Sequence, residues 1–114
     1  DREGPAADGA ERVRKLLQLV ALARRAGFPS VGPRAVRDAA RRSELSVVVV
    51  AEDAAANARK RMHGLLVEPG IEVVECGTRS DLGRAVGRPE AVVVGIRDRG
   101  IGRRIVSEAQ GTTE

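Results

Sequence analysis

Two valine runs constrain what this chain can fold into: Ser46-Val47-Val48-Val49-Val50-Ala51 and Ala91-Val92-Val93-Val94-Gly95-Ile96. A strand with one wet face alternates apolar and polar residues, and these runs do not alternate. Both faces of each strand must therefore be dry. That is the pattern of inner strands in a mostly parallel sheet covered by helices on both sides. At 114 residues the chain makes one domain.

The segments around the runs supply the covering helices. Over 11–26, Val13, Leu16, Leu17 and Val20 fall at i, i+3, i+4, i+7, and Ala23 continues the stripe. Arg24 and Arg25 suit the negative end of that helix, and Gly27 suits its C′ position. Phe28-Pro29-Ser30-Val31 reads as extended, in the manner of a short edge strand. Gly32-Pro33 opens a second helix reaching about Arg42, with Val36, Ala39 and Ala40 inward and Arg34, Arg37, Arg41 and Arg42 outward. After the first valine strand, Asp53 fits the N-cap of a helix over 54–66. Pro69-Gly70 marks a turn, and Ile71-Glu72-Val73-Val74 a shorter, more alternating strand. Thr78-Arg79-Ser80-Asp81 fits a capping box with Asp in place of Glu, starting a short helix stopped by Gly87 and Pro89. The second valine strand leads through a glycine-bearing loop over 95–102 into a last helix reaching Ser107 or beyond.

The alternation α-β-α-β-α-β-α-β-α predicts an α/β fold: a three-layer α/β/α sandwich with a four-stranded, mostly parallel (mixed) sheet. Residues 1–10 are rich in Gly, Ala, Asp and Pro without apolar period and read as a disordered tail or linker. Residues 11–110 read as the single domain and 111–114 as a frayed end. The chain begins at Asp1 rather than Met, as a processed product or a segment of a longer protein would.

Chemistry-bearing residues are few. His63 is the single histidine and lies among Arg59, Lys60 and Arg61, where it reads as a surface helical residue. Cys76 is the single cysteine, so no intrachain disulfide forms, and the expected compartment is the cytoplasm. With one His and one Cys, a zinc site would need carboxylates or a second chain. Glu52 and Asp53 are adjacent at a strand end and point apart, which disfavours paired-carboxylate catalysis. No phosphate-binding glycine motif of the G-x-x-x-x-G-K-[ST] or G-x-G-x-x-G kind occurs in the required context. Gly100-Ile101-Gly102 reads as a strand–helix joint, with exposed backbone N–H groups as the phosphate-binding alternative. No apolar stretch approaches the ~20 residues that span a membrane. The expected chemistry is therefore binding, with no cofactor and no metal.

Charge bounds the partner without naming it: a net +4 is a modest footprint, and arginines on solvated faces or enriched by overall composition account for it equally well. There are 20 basic and 16 acidic residues, and every basic one except Lys15 and Lys60 is arginine, whose planar fork suits phosphate. They group as Arg34, Arg37, Arg41 and Arg42; as Arg59, Lys60 and Arg61; and as Arg84, Arg88, Arg97, Arg99, Arg103 and Arg104. With Phe28 the only aromatic, stacking of single-stranded bases is nearly excluded. If RNA is the partner, phosphates and groove edges of a structured element are the better match.

Three segments in order resemble a known family. Leu45-Ser46-Val47-Val48-Val49-Val50-Ala51-Glu52-Asp53-Ala54 resembles its strand ending in Ala-Glu-Asp. Val74-Glu75-Cys76-Gly77-Thr78-Arg79-Ser80-Asp81-Leu82-Gly83-Arg84-Ala85 resembles its Ser/Thr-Lys-x-Glu-Leu-Gly-Arg-Ala segment. Gly87-Arg88-Pro89-Glu90-Ala91-Val92-Val93-Val94 resembles its final loop and strand. These mark the ribosomal protein L-seven-Ae-like superfamily, which recognises kink-turn RNA. The opening from Leu17 to Gly32 is similar to the bacterial YlxQ-type members. The resemblance spans residues 12–107.

It implies an α/β/α sandwich and RNA binding without catalysis. In the family, RNA is gripped by the start of the second helix, with a Gly-x-Asn-Glu motif and a Lys three residues on, and by the loop before the last strand. Gly32 matches the motif, while Arg34, Ala35 and Asp38 stand where the family carries Asn, Glu and Lys. Ala35 lacks the acceptors that Glu offers to base edges, and neighbouring Arg37 or Arg41 supplies the positive charge that Asp38 does not. The RNA-binding set implied is Gly32, Arg34, Arg37, Arg41, Arg88, Pro89 and Glu90. The partner expected is a structured RNA, ribosomal or otherwise kink-turn-like, within a ribonucleoprotein that includes ribosomal or transcription proteins. Two alternatives stay open: a protein-interaction module without specific kink-turn recognition, and the RNA-recruiting domain of an RNA-modifying enzyme.

Overall fold

A computed structural model of the chain describes residues 5–27, 29–67 and 70–111. The valine runs form the two inner strands of one four-stranded sheet. In chain order the elements are α1 (Pro5–Ala26), β1 (Ser30–Val31), α2 (Pro33–Arg41), β2 (Val47–Val50), α3 (Ala56–Val67), β3 (Glu72–Glu75), α4 (Arg79–Ala85), β4 (Val93–Ile96) and α5 (Arg99–Gln110). Across the sheet the order is β1-β4-β2-β3. Every residue of β2 and β4 is buried, so both faces are dry, as the missing alternation requires. Helices α1, α4 and α5 pack together on one face, and α2 packs with α3 on the other. The outer strands are blunted against further pairing: β1 has two residues, and β3 exposes Glu72 and Glu75.

The sheet is mixed, but it is not mostly parallel. Only β2 and β3 run parallel, while β4 is antiparallel to both β1 and β2. Dry faces report helices on both sides, and that cover is indifferent to strand direction. The helical start also differs from expectation. α1 begins at Pro5, so residues 5–10 are helix rather than tail. Pro5 suits the first helical position and the alanines that follow are strong helix formers, so the segment needs no apolar stripe. The extended reading of Phe28, the turn at Pro69, the tail over 1–4 and the end over 112–114 fall outside the described residues.

Two caps are placed differently from expectation. Asp53 does not start α3, which begins at Ala56 after a turn closed by Ala54 N–H donating to Ala51 O (3.2 Å). Instead its Oδ1 accepts from the backbone N–H of Arg79 at 2.8 Å and ties the end of β2 to the first turn of α4. The loop expected over 95–102 is cut short by Asp98, whose Oδ1 accepts from Ile101 N–H at 2.8 Å and starts α5 at Arg99. Gly102 is consequently a buried helical residue, and a methyl there would collide with Ser46. Its N–H is spent on Asp98 O (2.9 Å) and that of Ile101 on Asp98 Oδ1, so neither is an exposed donor for a phosphate.

Candidate nucleic-acid interface

The β-ladders decide which loops meet. Ser30 pairs with Gly95 and Val31 with Val94, and the next rung is Gly32 N–H donating to Val93 O at 2.9 Å. The start of α2 therefore leaves the sheet beside the residues that enter β4. On the other side of β4, Ala51 N–H donates to Val92 O at 2.9 Å, and Glu52 N–H to Gly77 O at 2.8 Å. One end of the sheet thus gathers Gly32 to Arg34, Glu52 and Asp53, Cys76 to Thr78, and the loop entering β4.

Gly32 is the N-cap of α2 at φ 97°, a left-handed conformation that L side chains rarely adopt. No side chain caps this helix, and a methyl at Gly32 would meet nothing within 4 Å. The turn therefore presents an open backbone approach. Pro33 at the first position has no N–H to satisfy. Val36, Ala39 and Ala40 anchor the helix in the core, as the sequence predicts. Arg34, Arg37 and Arg41 fall three and four residues apart, on one stripe of the opposite side. Arg34 and Arg41 are exposed. Arg37 is half-buried, and its shielded Nε has no hydrogen-bond partner among the described residues.

The second segment of the candidate interface, residues 88–90, is fixed by α4. Arg88 N–H donates to Gly83 O at 2.8 Å, and Ala91 N–H to Arg79 O at 3.0 Å, so the loop folds back along the helix. Gly83 makes this possible: a methyl there would lie 2.6 Å from Glu90 Cα and 2.8 Å from Arg88 O. Arg88, Pro89 and Glu90 are all exposed. The capping box that starts α4 is complete, with Asp81 N–H donating to Thr78 Oγ1 at 3.0 Å and Thr78 N–H to Asp81 Oδ2 at 3.3 Å.

Ion pairing separates cations already committed from those that are not. Arg59 and His63 both bind Glu75, Arg79 faces Asp53, Arg84 faces Asp81 and Arg97 faces Glu44. Arg34, Arg37, Arg41 and Arg88 have no ion-pair partner among the described residues. The hydrogen bond from His63 holds the Glu75 carboxyl below its usual range; burial opposes this, and Arg59 adds to the lowering. Burial pushes the Cys76 thiol up to about 12, with the Glu52 and Asp81 carboxylates adding to the shift, so it is no nucleophile at neutral pH. Among the described residues no group of three or more His, Cys, Asp or Glu stands together to hold a metal ion. No helix among them is long and apolar enough to cross a membrane.

Comparison with known proteins gives one family. The model described as "Ribosomal protein L7Ae/L30e/S12e/Gadd45 family" matches residues 14–102. No curated protein matches the chain. Among solved structures, a protein of unknown function from Bacillus halodurans is 31% identical. That alignment covers 84% of this chain and 97% of that one, with a TM-score of 0.79. A Giardia lamblia 15.5kD RNA binding protein is 21% identical, covered over 90% of this chain and 91% of its own, with a TM-score of 0.76; it shares the fold.

Proposed function

Because this chain belongs to the Ribosomal protein L7Ae/L30e/S12e/Gadd45 family, we propose that it binds structured RNA of the kink-turn type and catalyses no reaction. One observation carries the reading: the uncapped start of α2 at Gly32 is hydrogen-bonded to Val93, beside the loop holding Arg88. Two sequence-distant segments thereby present one surface with an open backbone turn and uncommitted guanidinium groups. The fold of the Giardia RNA binding protein and the family match over residues 14–102 support it.

In this reading, phosphates approach the backbone at Gly32, where no side chain stands in the way, and the α2 N-terminus favours their charge. Arg34 and Arg37 contact phosphates along the α2 stripe, and Arg41 extends it. Arg88 grips the strand from the other side, with Pro89 and Glu90 shaping the loop against the RNA. Recognition rests on shape and phosphate position, since Ala35 offers no acceptor to base edges. Arg34→Glu should weaken binding to a kink-turn RNA and lower the salt slope by roughly one to two units, with the fold intact by circular dichroism. Unchanged affinity would refute the assigned face.

Ala35 and Asp38 favour a second reading, a protein-interaction module that keeps the fold without specific kink-turn recognition. Copurifying partners that survive nuclease treatment would support it. Their complete loss would support RNA as the bridge. A role in the ribosome or on transcripts follows from either outcome by identifying what copurifies.

A further inference from the structure

One arginine outside the proposed RNA-binding set is held as though for a ligand. Arg24 lies in the last turn of α1, far in sequence from the loop entering β4. Its guanidinium nevertheless lies against the backbone of Gly87: a methyl there would sit 2.6 Å from both Cζ and Nη2 and 2.8 Å from Nη1. The near-equal distances place the planar group face-on to Gly87, at the C-terminal end of α4. Gly87 has φ 77°, so the turn into Arg88 and the seat for Arg24 both depend on a glycine.

Arg24 is exposed and makes no side-chain hydrogen bond or ion pair among the described residues. Its five N–H donors are unspent. At an exposed position against backbone, a guanidinium leaves its planar fork open to a phosphate. Arg88, the next residue after Gly87, is exposed and likewise uncommitted. The same loop continues through Glu90 and Ala91 to Val93, which bonds Gly32. A connected surface therefore runs from the α2 start, along the loop, to Arg24 on α1.

We propose that Arg24, seated on Gly87 beside Arg88, is a further phosphodiester contact that extends the RNA-binding face onto α1. The proposal rests on the RNA-binding reading above, and its test separates the two. The probe is a kink-turn RNA oligonucleotide, with affinity measured over a salt series for the wild-type chain, Arg24→Gln, Arg88→Gln, Arg34→Glu and, as a control on α5, Arg103→Gln. Arg24→Gln should weaken binding severalfold and lower the salt slope by roughly one unit, as one lost phosphate contact does, while Arg103→Gln leaves the slope in place. Gly87→Ala should weaken binding in the same direction by displacing Arg24; since the positive φ also burdens its folding, it is scored only if its melting curve remains cooperative. If Arg34→Glu and Arg88→Gln weaken binding and Arg24→Gln does not, the extension onto α1 is wrong and the RNA-binding reading stands. If the wild-type chain fails to bind the RNA, both are wrong.

Discussion

Single residues give the sharpest tests of local chemistry. Cys76 is buried behind β3 with its thiol pushed up to about 12, so a thiol reagent at pH 8 should leave the native protein unlabelled and label it after denaturation. Native labelling at the denatured rate would show that the strand end opens freely. Glu75 offers a pH test. Its folded-state pKa is lowered, so its pairing with His63 and Arg59 stabilises above the unfolded-state value and is lost as pH falls through the lower folded one. Glu75→Gln should therefore be destabilised relative to wild type in urea melts at pH 7, with the gap closing towards pH 3; a gap independent of pH would contradict the pairing. Gly83→Ala tests the loop seat. The added methyl meets backbone, not a flexible side chain, so a loss of about 1–3 kcal/mol is expected in denaturant melts, with weaker RNA binding as the loop over 88–90 shifts. Wild-type stability with wild-type binding would show that the seat is not needed.

At the scale of elements, legibility followed whether a signal was local. The capping box at Thr78 and Asp81 is a four-residue pattern whose partners are each other, so sequence alone placed it. Asp53 and Asp98 are both cap-type residues after a strand. Asp53 reads in sequence as the cap of the helix that follows it, yet its acceptor is used across the sheet by Arg79 N–H. Asp98 is hidden as a cap by the glycines after it, which read as a loop, whereas Gly102 is a glycine to let α5 approach Ser46. Removing the Asp98 cap by Asp98→Ala should cost ~1 kcal/mol and lower the melting temperature by several degrees, since α5 packs on three strands. No change would mean that packing alone starts the helix. Strand direction was illegible for another reason: Val47–Val50 and Val93–Ile96 are buried on both faces whichever way each runs.

For the molecule as a whole, the fold brings together what the sequence keeps apart. The arginine stripe of α2 was visible from spacing, and the Gly32-Pro33 start from its residue types. Their juxtaposition with Arg88 was legible only through the family resemblance, because it depends on the antiparallel pairing of β1 with β4. The seat of Arg24 on Gly87 left no trace in sequence, since 63 positions separate them and no motif joins the two. Net charge of +4 is modest, so under the proposed function arrangement rather than total charge is what would confer preference for one RNA shape over another. The most direct test is binding to a kink-turn RNA and to the same RNA with its sheared G·A pairs replaced, at low and near-physiological salt. A preference for the kinked RNA that survives the higher salt, and that Arg34→Glu abolishes, is the predicted result. Equal binding to both RNAs that disappears as salt rises would reduce the interaction to generic phosphate attraction and contradict shape-selective recognition at this face.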